Sequence, residues 1–161
     1  MSDTYFDKYL LESDPALLRA LVELLVPFVP ADTDILAGLE LGGVPVVTVL
    51  SQLTGLPSVF VRKESKPYGT RKLVEGCPVS GRTLTVVEDV VSSGGQIALS
   101  TTALRAAGAR VGVAVALIDR RQGDQDVLAS AGIELRCALT RDQVQSASSA
   151  GTTQPDASSG G

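Results

Sequence analysis

The segment TLTVVEDVVSSGGQ, residues 83–96, changes from apolar to acidic to small residues within a few positions. Glu88 and Asp89 end an apolar run, and a turn rich in serine and glycine follows. Carboxylates repel phosphate, whereas the free backbone N–H groups of such a turn attract it. A ligand that carries a phosphate together with a diol or a metal would use both parts. The same pattern also fits an ordinary capped turn between a strand and a helix.

A second group of residues suited to chemistry is a basic cluster. It consists of Arg62, Lys63, Lys66, Arg71 and Lys72. The chain as a whole has 14 basic and 18 acidic residues, which gives a net charge of −4. This balance argues against a general nucleic-acid-binding surface. The cluster therefore indicates an anionic small ligand, although a solvated loop with ordinary surface charge fits as well.

The residue types that are rare in the chain exclude several kinds of site. Histidine is absent, which removes the usual general base of hydrolytic pairs and triads. Cys77 and Cys137 are far apart, so we expect reduced thiols rather than a disulfide or a zinc site. The first residues lack the apolar stretch of a signal peptide, and no run reaches the ~18–20 apolar residues of a membrane span. We expect a cytoplasmic protein with neither a membrane nor a nucleic-acid partner.

The pattern of apolar residues, prolines and glycines predicts alternating strands and helices. Ser13-Asp14-Pro15 predicts the start of a helix that ends near Pro27 and Pro30. The predicted strands are 34–38, 58–63, 82–89, 110–121 and 133–139, and the further predicted helices are 42–55, 94–109 and 125–131. Residues 63–78 are predicted as a long loop that ends in a possible strand pair. This alternation predicts an α/β fold with a mostly parallel central sheet flanked by helices.

The chain is predicted to form one domain over residues 1–144. From residue 145 to 161 the sequence is rich in Ser, Gly and Ala, and such a segment buries too little apolar area to offset the entropy of ordering. We expect a disordered tail there.

Several segments together resemble one known family. VVEDVVSSGGQ resembles the binding motif for phosphoribosyl pyrophosphate (PRPP) of type I phosphoribosyltransferases. VFVRKESKPYGTRKLVEG resembles, more specifically, the mobile catalytic loop of the orotate phosphoribosyltransferase family. LAGLELGGVPV, LIDRR and TYFDKYLLESDP resemble that family's pyrophosphate loop, orotate-contacting strand end and segment beneath the base. The resemblance extends from about residue 4 to about 140, with the motifs in the family's order.

The resemblance implies a role for individual residues in PRPP binding. Glu88 and Asp89 would hold the ribose hydroxyls. The 5′-phosphate would lie in the loop formed by Val90, Val91, Ser92, Ser93, Gly94, Gly95 and Gln96. Gly42 and Gly43 would bind pyrophosphate through backbone amides. Arg62, Lys63 and Lys66 match basic residues of the catalytic loop, with Lys66 as the main catalytic contact, and Tyr68 stands where many members have histidine.

The resemblance also implies which residues contact orotate. Ser92 and Arg120 would contact orotate, and Tyr5 and Phe6 would lie near the base. From the residues alone, a surface arginine at a strand end is the favoured explanation of Arg120. For Tyr5 and Phe6, ordinary packing explains the residues as well as contact with the base does. Members of the family generally begin with an additional helix and a Ser-Gly-rich stretch that bears a lysine. This chain starts after that point, so we expect a reduced N-terminal hood over the base.

The implied activity is transfer of the phosphoribosyl group from PRPP to orotate in pyrimidine synthesis. The resemblance implies Mg²⁺ as the cofactor, held mainly by PRPP rather than by protein side chains. It also implies a homodimer with shared active sites. Two alternatives stay open at this point: a phosphoribosyltransferase for another nucleobase, and a non-catalytic regulatory protein that binds PRPP.

Overall fold

The helices and strands come from a computed structural model, which describes residues 7–64, 72–123 and 126–150. The helices in these ranges are α1 (Lys8–Ser13), α2 (Pro15–Glu23), α3 (Gly43–Thr54), α4 (Gly95–Ala106), α5 (Val127–Ser130) and α6 (Arg141–Ala150). The strands are β1 (Ile35–Leu39), β2 (Ser58–Val61), β3 (Val74–Gly76), β4 (Thr83–Val91), β5 (Arg110–Asp119) and β6 (Glu134–Thr140). A 3₁₀ turn covers Val26–Phe28. No helix in the described ranges is long and apolar enough to cross a membrane.

The strands form one sheet in the order β3-β2-β1-β4-β5-β6. Edge strand β3 runs antiparallel to β2, and the other neighbouring strands are parallel. The predicted α/β fold with a mostly parallel central sheet flanked by helices is confirmed. Because the parallel strands end at the same edge, the residues that follow β1, β2, β4 and β5 are brought to one side of the molecule. Ligands of open α/β sheets bind at this edge.

Both faces of the sheet are covered by apolar packing. Alternate residues of β1 enter two cores, since Ile35 packs in the same cluster as Leu104 of α4, and Leu36 in the same cluster as Val47 of α3. Leu18 and Val22 of α2 belong to the second cluster. This burial on two faces accounts for the nearly continuous apolar sequence of β5, which is typical of central parallel strands.

Local signals fix several ends of these elements. The Asp14 carboxylate accepts hydrogen bonds from the N–H groups of Ala16 and Leu17 at 3.0 and 3.1 Å, and Pro15 occupies the first position of α2. Gly55, with φ of 75°, ends α3 in the left-handed conformation. The predicted starts and stops at these residues are confirmed.

The structure differs from the predicted elements at several places, which include the end of β4 at Val91 rather than residue 89 and the end of β5 at Asp119 rather than residue 121. A short helix, α1, precedes α2, and α2 ends at Glu23 rather than near Pro27. β2 ends at Val61 instead of residue 63. At the other end of the chain, α6 runs through the predicted tail boundary at residue 145 as far as Ala150.

The correction at α6 has a physical cause in its first turn. The Thr140 N–H donates to Gln143 Oε1 at 2.8 Å, and the Gln143 N–H donates to Thr140 Oγ1 at 3.4 Å. This reciprocal pair is a capping box, which stabilises the start of a helix even when the following residues are small and polar. Val144 also packs against the core. Residues 151–161 lie outside the described part of the chain.

Candidate active site

The two acids of the opening motif lie near the carboxyl end of β4 in different surroundings. Successive side chains of a strand point to opposite faces. Glu88 lines an open pocket beside the start of α4. The Asp89 side chain is only 2% exposed, and it lies against Gly42 on the other side of the strand. The acid pair therefore connects two parts of the site.

The pocket beside Glu88 is formed mainly by consecutive residues of the motif. Its lining residues are Glu88, Val90, Val91, Ser92, Ser93, Gly94, Gln96 and Ile97. Its volume of about 170 Å³ is several times the ~30 Å³ that a water molecule occupies in the liquid. The first N–H groups of α4 lack intrahelical acceptors and lie at the positive end of the helix dipole. The arrangement suits a phosphate group.

Gly94 and Gly95 shape the turn into α4. Gly94 has φ of 87°, a conformation that side chains disfavour, and a Cβ there would lie 2.8 Å from Leu128 Cγ. The Gly95 N–H donates to Ser93 Oγ at 3.2 Å. The turn is thus held close to α5, which packs behind it.

The turn between β1 and α3 brings backbone directly against the acid pair. A Cβ on Gly42 would lie 2.1 Å from Asp89 Oδ2, and one on Gly43 would lie 2.6 Å from the Val87 carbonyl oxygen. Gly42 has φ of −61°, which any residue can adopt, so glycine is required here for space rather than for conformation. The Glu40–Leu41 peptide bond in this turn is cis.

The described part of the basic cluster is connected to this turn. The Lys63 N–H donates to Glu40 Oε2 at 3.0 Å, and Arg62 Nε donates to Glu75 Oε1 at 3.2 Å. Lys63 is exposed. Lys66 and Tyr68 lie outside the described residues, as do Tyr5 and Phe6, so their expected roles stay predictions.

The two arginines after β5 have different surroundings. Arg121 is held by Asp119 at 3.0 Å and by Asp126 at 2.9 Å, and hydrogen bonding to Asp119 raises the pKa of its guanidinium. Arg120 is exposed, and its backbone N–H donates to the Val91 carbonyl at 2.8 Å, beside the pocket. No acceptor within the described ranges binds the Arg120 guanidinium. Of the two arginines, Arg120, the predicted contact to a carboxylate ligand, is the one whose guanidinium is available to bind such a ligand.

Two residues of α1 join the acid pair, and the sequence analysis assigned neither of them to the site. Lys8 Nζ lies 3.0 Å from Asp89 Oδ2 in an ion pair. Glu12 contacts Asp89 from the next turn of the helix, and its Oε1 is buried without a donor among the described residues. A proton on Glu12 makes this contact a hydrogen bond. The spacing of four residues is the signal that could have placed both on one helix face, but no helix was predicted there.

Burial and mutual contact shift the pKa values of these groups. Burial, with hydrogen bonding to Asp89 in second place, raises the pKa of Glu88 to about 9 and that of Glu12 to about 8. Burial would also raise the pKa of Asp89, but contacts with Glu12, Glu88, the Val90 N–H and Lys8 outweigh it and hold that pKa below its usual value. Burial opposes the charge of Lys8, but the contact with Asp89 raises its pKa overall. Near neutral pH, Asp89 is thus the ionised carboxylate of the group.

Comparisons with known proteins identify relatives of this chain. No protein-family profile matches the chain. The chain is 50% identical over 147 residues to an orotate phosphoribosyltransferase of Nocardioides, an alignment that covers 91% of this chain and 82% of the relative.

Comparison with solved structures also finds phosphoribosyltransferases. The crystal structure of orotate phosphoribosyltransferase from Aeropyrum pernix matches with a TM-score of 0.81 and 32% identity, covering 92% of this chain and 85% of that one. A phosphoribosyltransferase from Corynebacterium diphtheriae matches with a TM-score of 0.80 and 32% identity, covering 89% and 86%. The similarity therefore covers about nine-tenths of this chain.

Proposed function

Since the chain belongs to the orotate phosphoribosyltransferase family, we propose that the carboxyl end of β4 is its active site. The enzyme transfers the phosphoribosyl group of PRPP to orotate, giving orotidine 5′-phosphate and pyrophosphate in pyrimidine synthesis. The observation that carries the assignment of the site is that Glu88, the motif residues 90–94 and Gln96 line one pocket, while Asp89 lies against the glycine turn.

The 5′-phosphate of PRPP occupies the pocket at the start of α4. Ser92, Ser93, Gly94, Gly95 and Gln96 supply hydroxyl, backbone and amide groups there, and Val90 and Val91 form its wall. The ribose hydroxyls lie next to Glu88 and Asp89. Support comes from Glu88, which lines the pocket and whose Oε1 would lie 3.5 Å from a Cβ on Gly43 of the turn, so that one ligand can reach both.

The pyrophosphate end of PRPP lies over that turn, where side chains are excluded and the backbone N–H groups are the donors. Arg62, Lys63 and Lys66 act on the same end, because displacement of pyrophosphate builds negative charge that cations stabilise. Support comes from the hydrogen bond between Lys63 and Glu40, which joins the basic segment to the turn. Lys66 remains our choice for the main contact in the transition state.

The charge state of the acid pair fits a Mg²⁺ ion that arrives on the substrate. Asp89 is already in an ion pair with Lys8. Burial raises the pKa of Glu88, which disfavours the charged form of its carboxyl. The diphosphate oxygens of PRPP are then the groups that hold the ion, which would neutralise charge on the leaving group when bound.

We expect orotate to be consumed only when PRPP and a divalent metal ion are both present. The physical reason is that the phosphate pocket and the glycine turn are suited to a sugar phosphate whose diphosphate charge is balanced. The measurement is loss of orotate absorbance with purified protein, with and without excess chelator. Consumption that continues in excess chelator would contradict the metal requirement, and PRPP binding without orotate consumption would contradict the catalytic function.

Arg120→Ala is expected to raise the orotate KM about 10- to 150-fold while PRPP binding stays unchanged. The reason is that a hydrogen bond between charged groups is typically worth ~1.5–3 kcal/mol, and tenfold corresponds to ~1.4 kcal/mol. Steady-state kinetics with each substrate varied in turn provide the check. Arg110→Ala is the matched control, since Arg110 lies at the opposite end of β5 and donates to Thr83 Oγ1 at 3.3 Å. An orotate KM that is the same in both variants would make Arg120 an ordinary surface residue.

On the orotate side, Ser92 contacts the base from the edge of the pocket, and Tyr5 and Phe6 pack near it. The assembly is a homodimer in which the segment around Lys66 reaches the partner's site. Exposed Leu10 and Leu41, at 68% and 63%, support association, because both lie within two residues of groups that contact Asp89. The location is the cytoplasm, in agreement with the unpaired thiols of Cys77 and Cys137.

A further inference from the structure

Asp89 is the most enclosed ionised group of the site, and its contacts come from three directions. Its Oδ1 accepts the Val90 N–H at 2.7 Å, its backbone N–H donates to Glu88 Oε1 at 3.1 Å, and Lys8 Nζ lies 3.0 Å from Oδ2. The backbone of Gly42 also lies against the carboxylate. Since a buried carboxylate is costly without a compensating cation, the charge of Asp89 depends on Lys8.

Lys8 is also confined. Its side chain is 34% exposed, and the ammonium lies 5.4 Å from the centre of the Tyr9 ring. Glu12, one helical turn away, contacts the same carboxylate. The six-residue helix α1 therefore places a cation and a carboxyl next to the buried Asp89 of β4, although Lys8 and Asp89 are 81 residues apart in the sequence.

We propose that Lys8 is a positioning residue of the PRPP site, whose ion pair with Asp89 keeps that carboxylate charged and fixed against Gly42. The proposal rests on the function proposed above. An ionised Asp89 accepts hydrogen bonds from ribose hydroxyls more strongly than a neutral one, since hydrogen bonds to charged groups are the stronger kind. A fixed Asp89 also needs no reordering when PRPP binds.

Removal of the Lys8 charge leaves Asp89 with carboxyl neighbours only. Among the described residues, the titratable groups that face Asp89 are Lys8 and Glu12 on α1 and Glu88 on β4, and α3 with its preceding turn contributes uncharged Gly42. Without the cation, the pKa values of Asp89, Glu12 and Glu88 all rise, because Lys8 lowers each of them. Asp89 then takes up a proton as the pH falls through its raised pKa, and PRPP binding weakens toward acid pH.

Lys8→Met is expected to raise the dissociation constant of PRPP about tenfold or more at neutral pH, with a smaller change in kcat. The ratio of the variant's constant to the native one should be larger at pH 6.5 than at pH 8.5, since titration of PRPP itself cancels in the ratio. Lys8→Arg restores binding. Calorimetry with PRPP and Mg²⁺, together with orotate consumption, gives both quantities. Arg19→Met is the matched control, because Arg19 is exposed on α2 in an ion pair with Glu23 at 3.0 Å.

Three outcomes would overturn the inference. The first is unchanged PRPP binding in Lys8→Met, and the second is a loss that is equal at both pH values and follows a lowered unfolding temperature, which marks a merely structural role. The third is protonation of the Asp89 carboxyl itself between pH 5 and 9 in the native protein, followed by ¹³C NMR of labelled aspartate, a measurement that does not depend on folding of a variant. A native protein that fails to consume orotate would instead contradict the proposed function and leave these three measurements to decide the role of Lys8.

Discussion

Gly42→Ala is expected to lower kcat/KM for PRPP by about 100-fold or more while the protein still folds. The added Cβ would lie 2.1 Å from Oδ2, 2.4 Å from Cγ and 2.6 Å from Oδ1 of Asp89, so either the turn or the carboxylate must move. A displacement of ~1 Å in a site can cost ~10²-fold in rate. The backbone itself tolerates alanine, because φ at Gly42 is −61°. Steady-state kinetics and thermal unfolding measure the two parts of this prediction.

Gly112→Ala is the matched control for that variant. A Cβ on Gly112 would meet no heavy atom within 4 Å, and the residue is exposed on β5. The control should keep native kinetics, whereas overpacking at Gly42 costs ~1–3 kcal/mol of stability in addition to the loss of activity. Native kcat/KM in Gly42→Ala would show that Asp89 and the glycine turn do not act together on PRPP.

Two inactive variants, Lys66→Ala and Asp89→Ala, are expected to restore activity to each other when their subunits are exchanged. If the segment around Lys66 acts on the partner's site, each mixed dimer contains one site with an intact lysine and an intact acid pair. Random pairing makes about half of the dimers mixed, with one of two sites restored, so the mixture should recover roughly a quarter of the native activity. Co-expression, or mixing after partial unfolding, followed by the orotate assay, gives the value.

Each variant exchanged with itself serves as the control and should stay inactive. Subunit exchange must be confirmed independently, for example by mass spectrometry of differently labelled chains. An inactive mixture of fully exchanged subunits would mean that Lys66 acts within its own chain, and the shared site would then be wrong.

Much of the fold was predictable because local residues determine it. Asp14-Pro15 and Gly55 set helix ends by capping and by backbone conformation, and the apolar runs of β1 and β5 identify strands buried on both faces. α1 was missed because, in the part described, no residue of this helix is fully buried, so it lacks a clear apolar face. The extension of α6 was missed because its capping box involves only Thr140 and Gln143, while the composition of the following residues suggests disorder.

The site was predictable where it is contiguous in sequence. Glu88 and the residues that follow it form the end of β4 and the turn into α4, so a local pattern describes most of the pocket. The contact of Lys8 with Asp89 and that of Glu40 with Lys63 join segments far apart in sequence. Such contacts depend on how helices and turns pack against the sheet, and no single-sequence pattern specifies them. The resemblance led to Gly42, but only the packing against Asp89 explains why glycine is needed there.

The short antiparallel pairing of β2 with β3 determines how strongly a change in the length of the basic segment, residues 63–72, affects the free energy of folding. The Arg62 N–H donates to the Leu73 carbonyl at 2.8 Å, and Val61 pairs with Val74. The residues at which the chain leaves the sheet are therefore hydrogen-bonded to the residues at which it returns. The entropy of closing a loop grows slowly with its length, by ~0.6 kcal/mol per doubling. Residues inserted into or deleted from 63–72 therefore change the free energy of folding little as long as the pairing of β2 with β3 is kept. The length of the basic segment can therefore change almost independently of the stability of the sheet.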